Sequence, residues 1–387
     1  MMDYLLTEEQ KMIKDLARKI AQEKIKPVAA EYDEKEEFPW PIVKILAESD
    51  LFGIFIPEQY GGTGGGTLDL AIATEELSWG CGGISLSYAA TGLGAFPIIL
   101  FGSDQQKKKY LPEIAKGKQL AAFALTEAEA GSDAGSIRTT AKKDGDHYIL
   151  NGTKQWITNA GEAEIYTVIA MTDKSKGPRG ASAFIIEKGT PGMEFGKKEK
   201  KLGIRGSATR EVIFTDCKVH KDNLISREGM GFIVAMKTFD YSRPGVAAQS
   251  VGIAQRALDE ATSYAHQRYQ FGQPISSFQG IQFMLADMAT QIEAARALIY
   301  SAARMIDSGA KNIAKVSAMC KMYASDVCMK VTTDSVQIFG GYGYMREYPV
   351  EKLMRDAKIT QIYEGTNQIQ RSIIASHLIK ELSKKKK

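Results

Sequence analysis

Near the end of this chain, Gln361-Ile362-Tyr363-Glu364-Gly365-Thr366-Asn367-Gln368-Ile369-Gln370-Arg371 sets one carboxylate, Glu364, among apolar, small and amide residues. If Glu364 ends an extended segment that enters a cavity, lost hydration disfavours its ionised form and raises its pKa toward neutrality. Such a group can take a proton from carbon. A glutamate in a solvated loop has the same neighbours, and solvation is the commoner state of Glu, so this fragment alone leaves both readings open.

Three further fragments bear on the choice. Ala122-Phe123-Ala124-Leu125-Thr126-Glu127-Ala128-Glu129-Ala130-Gly131-Ser132-Asp133 precedes Asn151-Gly152-Thr153-Lys154-Gln155-Trp156-Ile157-Thr158-Asn159-Ala160, and Gln337-Ile338-Phe339-Gly340-Gly341 follows later. In order and in register with the Glu364 segment, they resemble the FAD-dependent acyl-CoA dehydrogenases over essentially the whole chain. The short-chain and butyryl-CoA dehydrogenases are the nearest likeness.

Oxidising an acyl thioester between its α and β carbons removes a weakly acidic α proton and a β hydride, so a base and an electron sink must flank one bond. No side chain accepts a hydride reversibly, so a redox cofactor is needed. The resemblance implies FAD and puts Glu364 at the family's base position, where its own N–H helps polarise the thioester carbonyl. It implies substrate contacts from Tyr363 and Gly365. It also implies that Leu125, Thr126, Trp156 and Thr158 line the flavin, that Gly131 and Ser132 sit where flavin and the CoA arm meet, and that Phe123, Thr366 and Gln368 add cofactor contacts. Taken singly, Trp156 is as readily a core side chain, and Gly131-Ser132-Asp133 a turn with a helix cap.

By the same resemblance Arg268, Phe271, Phe278 and Gln279 reach the FAD diphosphate of a neighbouring subunit, a task that suits a guanidinium fork. Gln337, Gly340 and Gly341 make a second inter-subunit FAD contact, and a homotetramer follows. Asp240 and Arg243 would meet the pantetheine and nucleotide part of CoA, although on their own they are also an ordinary i, i+3 ion pair. By the same resemblance Ser242 stands where some branched-chain and long-chain relatives carry their base, and since serine cannot act as a carbon base, the assignment to Glu364 is strengthened. Ser87 to Gly94 lie where family members close the acyl pocket. Leu202 to Arg210 also belong to the family pattern, without a chemical role for each member.

The elements that must position these groups change in texture along the chain. Thr7-Glu8-Glu9-Gln10 and Ser103-Asp104-Gln105-Gln106 are capping boxes, and helix-like segments between them, Pro41 to Ser49, Leu68 to Ser78 and Ile84 to Phe96, make residues 1–120 a helical unit. The glycines of residues 61–66 and Gly92-Leu93-Gly94 follow no strand, so they read as turns and close helix packing rather than a nucleotide fingerprint. Residues 121–230 carry short β-rich runs with Asp144-Gly145 and Asn151-Gly152 as hairpin dipeptides, an antiparallel sheet or barrel. In residues 231–387 the helical spacing of Leu285, Met288, Ile292, Ala295 and Ile299 predicts a helix bundle. The fold class is thus α+β multidomain, helical, then β, then a four-helix-bundle-like domain, as in the acyl-CoA dehydrogenase fold.

At 387 residues, with 44% hydrophobic and 25% charged residues, the chain is long enough for a large core and too apolar for disorder. The formal charge of +4 is that of the terminal lysines 384–387, expected to be a solvated tail, so no basic nucleic-acid face is indicated. Four scattered cysteines and four distant histidines do not support a metal site. No basic, apolar leader is visible, and the apolar stretch around Gly92 to Gly102 contains Pro97, so neither export nor a membrane span is expected and a cytoplasmic location fits.

The expected reaction turns an acyl-CoA into the trans-2-enoyl-CoA, with electrons passed to an electron-transferring flavoprotein. A cyclic acyl-CoA such as cyclohexanecarboxyl-CoA is the alternative substrate. An O₂-using acyl-CoA oxidase is disfavoured because those relatives usually carry an added C-terminal domain. A non-catalytic flavin-binding subunit would be marked by loss of the base, and Glu364 is present; a desulfinase or nitroalkane oxidase would show an altered base or CoA site.

Overall fold

The computed structural model describes residues 4–385. The terminal lysines, read above as a solvated tail, fall outside the described side chains. The chain opens with six helices: α1 (Glu8–Ile20), α2 (Ala29–Lys35), α3 (Trp40–Glu48), α4 (Thr67–Gly80), α5 (Gly82–Phe101) and α6 (Asp104–Ala115). Both capping boxes form. The Gln10 N–H donates to Thr7 Oγ1 and the Thr7 N–H to Gln10 Oε1, each at 3.2 Å, and Ser103 and Gln106 repeat the exchange ahead of α6. The start of α4 is capped from a distance, the Thr67 and Leu68 N–H groups donating to the Asp307 carboxylate at 2.7 and 2.9 Å.

Helix α5 is longer than the apolar stretch marked by its proline. Its 20 residues are apolar and long enough to cross a membrane, but most of its surface is buried inside the protein, and Pro97 lies within it. It is a core helix. A Cβ on Gly94 would sit 2.6 Å from the Ala122 nitrogen, so this glycine lets α5 lie directly against the first strand.

The sheet comprises β1 (Ala121–Ala124), β2 (Thr140–Asp144), β3 (His147–Thr158), β4 (Ile165–Met171), β5 (Ala181–Glu187), β6 (Met193–Phe195), β7 (Thr209–His220) and β8 (Leu224–Ile225). Their order is β6-β7-β3-β2-β4-β5-β8, with β1 on β4. Two sequence readings are corrected here. The sheet is mixed, because β1 runs parallel to β4 through residues 165–168 and β2 meets β4 in parallel at Met171. Asn151-Gly152 is no hairpin turn: both residues lie inside β3, at an irregularity in its pairing with β7. There Gly152 adopts φ +143° with Thr139 Oγ1 2.6 Å from where a Cβ would stand. A dipeptide that favours positive φ serves a bulge as well as a turn. Asp144-Gly145 does turn the chain between β2 and β3.

Five helices follow: α7 (Gly231–Gln267), α8 (Gln279–Asp307), α9 (Ala314–Phe339), α10 (Val350–Thr360) and α11 (Asn367–Lys385). A two-strand hairpin, Tyr269–Gln270 with Gln273–Pro274, joins α7 to α8. Met288, Ile292, Ala295 and Ile299 of α8 are fully buried against α7 and α9, as their spacing predicts. One core holds the early helices against the sheet and another holds the late helices together. Helix α4 serves both, giving Leu70, Ala73 and Leu77 to the first and Leu68, Ala71 and Ile72 to the second.

The contact of α4 with the late helices is polar as well as close. Buried Glu75 accepts from Arg296 Nε at 2.6 Å and from the Tyr300 hydroxyl at 3.0 Å on α8. A Cβ on Gly252 of α7 would stand 2.1 Å from the Glu75 carbonyl oxygen. Gly252→Ala is therefore expected to push α4 off α7 and to lower stability by about 1–3 kcal/mol, read as a fall in thermal midpoint; an unchanged midpoint would show that the contact can yield.

Candidate functional site

Glu364 lies in a turn, and the extended segment expected for it is replaced by two helices meeting: α10 ends at Thr360 and α11 begins at Asn367. Glu364 and Gly365 take φ of +53° and +94°. The first is uncommon for a residue with a Cβ. The positive φ is what glycine serves at position 365; a Cβ there would also stand 2.7 Å from the amide end of Gln370. The turn is held through its carbonyls. The Glu364 carbonyl accepts from Arg243 Nε at 3.2 Å and from Gln370 Nε2 at 3.1 Å, while the Gly365 carbonyl accepts from Gln370 Nε2 at 2.8 Å and Lys321 Nζ at 2.9 Å.

With the backbone drawn back, the carboxylate reaches forward. Glu364 Oε2 accepts from the Ser242 hydroxyl of α7 at 2.6 Å. Burial raises the carboxyl pKa above its ordinary value, opposed by the Ser242 hydrogen bond and by the charges of Arg243 and Lys321. The beginning of the desired base is thus present: a carboxylate poorly hydrated yet held in ionisable form.

Two clefts meet at this group. One, of about 880 Å³ including its mouth, runs between α4, α5 and α7 and is walled by Leu70, Leu86, Ala89, Ala90, Leu93, Phe96, Phe123, Leu125, Phe239 and Val246. Thr74 and Gln249 contribute a hydroxyl and an amide, and among the described residues no lysine or arginine lines it. The other, of about 1530 Å³, opens between the sheet and the Glu364 turn. Thr126, Trp156, Thr158, Tyr363 and Glu364 border both, and Glu364 is the carboxylate common to the two. The Tyr363 hydroxyl donates to Gln249 Oε1.

The strand side of the junction is equally constrained. Trp156 takes φ +55° at an irregularity between Lys154 and Ile157 and leaves 56% of its surface exposed. Beneath it, fully buried Lys154 donates to the Leu125 carbonyl at 2.9 Å and to Glu127 Oε1 at 2.7 Å, while the Gln155 N–H donates to the Thr126 carbonyl at 2.8 Å. The 125–127 segment and β3 thereby form one wall.

The larger cleft fits a flavin by the chemistry of its lining. It has a flat, half-exposed indole, hydroxyls from Thr126, Ser132, Thr158 and Thr366, open space beside Gly131, and the cations Lys200, Lys201 and Lys358. These would hold a planar polar ring and a phosphate-bearing tail.

Of the residues singled out from sequence, Phe123, Leu125, Thr126, Trp156, Thr158, Tyr363 and Glu364 converge on the first cleft, and Gly131, Ser132, Gly365 and Thr366 on the second. Gln368 is exposed in the first turn of α11 and lines neither. Asp240 and Arg243 are both buried, Arg243 Nη1 lies 3.6 Å from Asp240 Oδ1, and Arg243 Nε donates to the Glu364 carbonyl. Arg268, Gly340 and Gly341 line a separate surface cleft, where the guanidinium lies 5.4 Å from the Tyr342 ring centroid. Near them Phe271 is 93% exposed and touches Phe278 edge-on, while Gln279 and Gln337 face solvent.

Of residues 87–94, Ala89, Ala90 and Leu93 line the first cleft, whereas Ser87, Tyr88, Thr91, Gly92 and Gly94 do not. The 202–210 segment gains a place: Leu202, Gly203, Ile204 and Thr209 wall the larger cleft, and the Ile204 N–H donates to Asp356 of α10 at 2.5 Å. Sequence reading passed over Gln249, Lys321 and Gln370, whose residue types carry no motif and whose relevance lies in contacts across the fold.

All three parts of the chain match family models, described as acyl-CoA dehydrogenase N-terminal domain over residues 7–118, middle domain over 122–217 and C-terminal domain over 229–379. A relative from Clostridium acetobutylicum, "Acyl-CoA dehydrogenase, short-chain specific", is 48% identical over 381 residues, 98% of this chain and 100% of the relative. Among solved structures, butyryl-CoA dehydrogenase from Megasphaera elsdenii superposes with a TM-score of 0.95 at 48% identity, covering 98% of this chain and 100% of that one. A chain in a structure described as "Electron transferring flavoprotein of Acidaminococcus fermentans: Towards a mechanism of flavin-based electron bifurcation" also gives a TM-score of 0.95, at 51% identity over 97% of this chain and 99% of that one.

Because the Ser242 hydroxyl stabilises the ionised carboxylate, Ser242→Ala should raise the pKa of Glu364, so that the ionised form appears only at higher pH. An infrared titration of the carboxyl stretch, assigned by its disappearance in Glu364→Gln, reads this directly; an unchanged midpoint would show that the hydrogen bond does not bear on ionisation.

Proposed function

The chain belongs to the acyl-CoA dehydrogenase family, and from that membership we propose that it oxidises a short or compact acyl-CoA to the trans-2-enoyl-CoA with Glu364 as the base. It is an oxidoreductase and its cofactor is FAD. Bound FAD supplies the acceptor for the two electrons leaving the β carbon, a task no side chain performs. The observation that carries the reading is the position of the Glu364 carboxylate, at the junction of an apolar cleft and a cleft lined with an exposed indole and hydroxyls.

In this reading the acyl chain enters the apolar cleft, the thioester lies at the junction, and a Glu364 oxygen takes the α proton. Negative charge then builds on the thioester carbonyl, where the Glu364 N–H is the proposed donor. Leu86, Leu93, Phe96, Phe123 and Phe239 keep water from the bond being oxidised. The residues proposed to hold FAD are Thr126, Ser132, Trp156, Thr158 and Thr366 in one chain, with Phe123, Leu125, Gly131 and Gln368 beside them. Arg268, Phe271, Phe278, Gln279, Gln337, Gly340 and Gly341 are proposed to act on the FAD of a second copy, which is the basis for a homotetramer: they lie apart from the Glu364 junction and are largely exposed. Tyr363 and Gly365 border the substrate, and Asp240 and Arg243 are proposed to meet the pantetheine and nucleotide part of CoA, with Arg243 also donating to the Glu364 carbonyl. The likeness to a chain of an electron-transferring flavoprotein structure supports such a flavoprotein as electron acceptor. Folding units divided near residues 120 and 230 belong to the same reading.

The acyl-side cleft has no cation, and an unpaired carboxylate buried there would lose hydration without compensation. Dicarboxylic acyl-CoAs are therefore poor candidates. The small side chains of Ala89 and Ala90 favour a second reading for the acyl group, a compact ring such as cyclohexanecarboxyl.

Anaerobic flavin bleaching against straight, branched, cyclic and dicarboxylic acyl-CoAs decides the substrate. Butyryl-CoA or a comparably compact thioester should bleach the flavin, with reoxidation slower by O₂ than by an electron-transferring flavoprotein. Peroxide formed as fast as substrate is lost would favour an oxidase, and failure of every thioester would favour a non-catalytic subunit. Arg268→Ala should weaken FAD retention and assembly together, measured by flavin content and sedimentation. Glu364→Gln should leave a folded, FAD-loaded protein whose flavin reduction is slower by about 10²–10⁴-fold or more. Adding Ser242→Glu should recover part of that rate, because Ser242 already touches the Glu364 carboxylate; near-normal rates in Glu364→Gln alone would remove Glu364 from the mechanism.

A further inference from the structure

One buried cation near the base is left without a part in this account. Lys321, in the second turn of α9, has 0% of its surface exposed. Its ammonium forms no close ion pair among the described residues; it donates to the Gly365 carbonyl and to Asn367 Oδ1, each at 2.9 Å. Asn367 is fixed in turn, donating to Ser325 Oγ at 2.9 Å and Asp326 Oδ1 at 2.7 Å. A lysine buried without a carboxylate pays a large desolvation cost, and a neutral side chain of similar length would avoid it. Its location ties that cost to one place, the turn between α10 and α11.

The geometry points to Lys321 as a positioning residue for Glu364: it fixes the left-handed Glu364–Gly365 turn through the Gly365 carbonyl and provides the buried positive charge that keeps the neighbouring carboxylate ionised. The inference rests on Glu364 being the base. Clamp and charge act in the same sense, since the tie that draws the backbone back also places a cation behind the carboxylate. Arg243 on α7 adds a second cation. On the other side stand Asp240 on α7 and Asp326 on α9, the latter 2.8 Å from Arg371 Nη2 on α11 and so already matched; His377 of α11 bonds the Ile373 carbonyl. Glu364 is thus the anion left for Lys321 to balance. Burial lowers the Lys321 pKa to about 7, against the opposing pull of Glu364, with Arg243 lowering it further and Asp326 raising it. Glu364 is shifted upward from its own usual value. The positive charge of Lys321 lowers the Glu364 pKa and the negative charge of Glu364 raises that of Lys321, so each group favours the ionised form of the other.

Two substitutions separate the structural from the electrostatic part. Lys321→Met removes clamp and charge; Lys321→Gln removes the charge and keeps an N–H donor. Both are expected to retain FAD and to leave substrate KM near wild type while kcat falls, the loss being smaller in Lys321→Gln. In both, the acid limb of the pH profile for anaerobic flavin reduction should move to higher pH, and the infrared titration of the Glu364 carboxyl should move with it. If only one variant folds, that variant carries the same test. An acid limb and carboxyl midpoint at the wild-type pH in a folded, FAD-loaded variant would overturn the inference, as would a rise in KM with kcat unchanged. Failure of the base assignment is separately visible, because Glu364→Gln would then keep near-normal flavin reduction whatever Lys321 does.

Discussion

A carboxylate that is to act on carbon must lose water without losing its charge, and the contacts made by Glu364, the proposed base, answer that demand. Burial works against ionisation, so compensation has to come from groups already in place. One neutral hydroxyl, Ser242, touches the reactive oxygen, whereas the cations Arg243 and Lys321 reach the carbonyls of the same turn. This division matters chemically. A guanidinium bonded directly to the carboxylate would hold it ionised and also make it a weak base; one that grips the backbone lends its field and leaves the oxygens free for a proton.

The same contacts explain why the turn can hold a strained backbone. A non-glycine residue at φ +53° persists when its surroundings over-determine it, and donors from α7, α9 and α11 converge on two consecutive carbonyls. Helices α7 and α9 share one core, and α4 joins that core to the one containing the sheet. The indole of Trp156 and the carboxylate of Glu364, more than 200 residues apart in sequence, thus face one junction because α4 packs on both halves of the protein. The strand wall has its own buried tie in Lys154 and Glu127. Each side of the junction is stiffened by a lysine that donates to backbone carbonyls.

Much of this was legible in the sequence wherever a local signal coincided with the final structure. Thr7 and Ser103 start helices by a chemistry contained in four residues, and the spacing on α8 states which face is buried. Glu364 stood out because its neighbours are uncharged. Two of the corrected segments share a feature, a positive φ, which does not name the structure that requires it. At Asn151-Gly152 it belongs to a bulge, and at Glu364-Gly365 to a corner between helices. The parallel pairing of β1 with β4 has no local signature, since it joins residues more than 40 positions apart. For Arg243 the sequence gives the charge but not its bond to the Glu364 carbonyl, which the packing of α7 against the turn sets. Lys321 was silent for a further reason: a buried lysine and a surface lysine on a helix look alike until the packing is known.

The pairing of Ser242 with Glu364 bears on how such a site can vary. The resemblance noted from the sequence puts the base of some relatives at the position of Ser242. Here the two side chains meet at 2.6 Å, one from a long helix and the other from a turn, so a carboxylate borne on either approaches the same point of the junction. The fixed requirement is then the location of the proton acceptor relative to the apolar cleft. A helix interior such as α7 holds its backbone by its own hydrogen bonds, whereas the turn depends on Arg243, Lys321 and Gln370. Placing the base on the turn leaves the carboxylate beside Gly365 and its own N–H, so that proton removal and polarisation of the thioester can come from one residue. That coupling is what the strained turn and its buried cations make possible, and it gives a physical reason for a chain of this family to carry the cost of burying them.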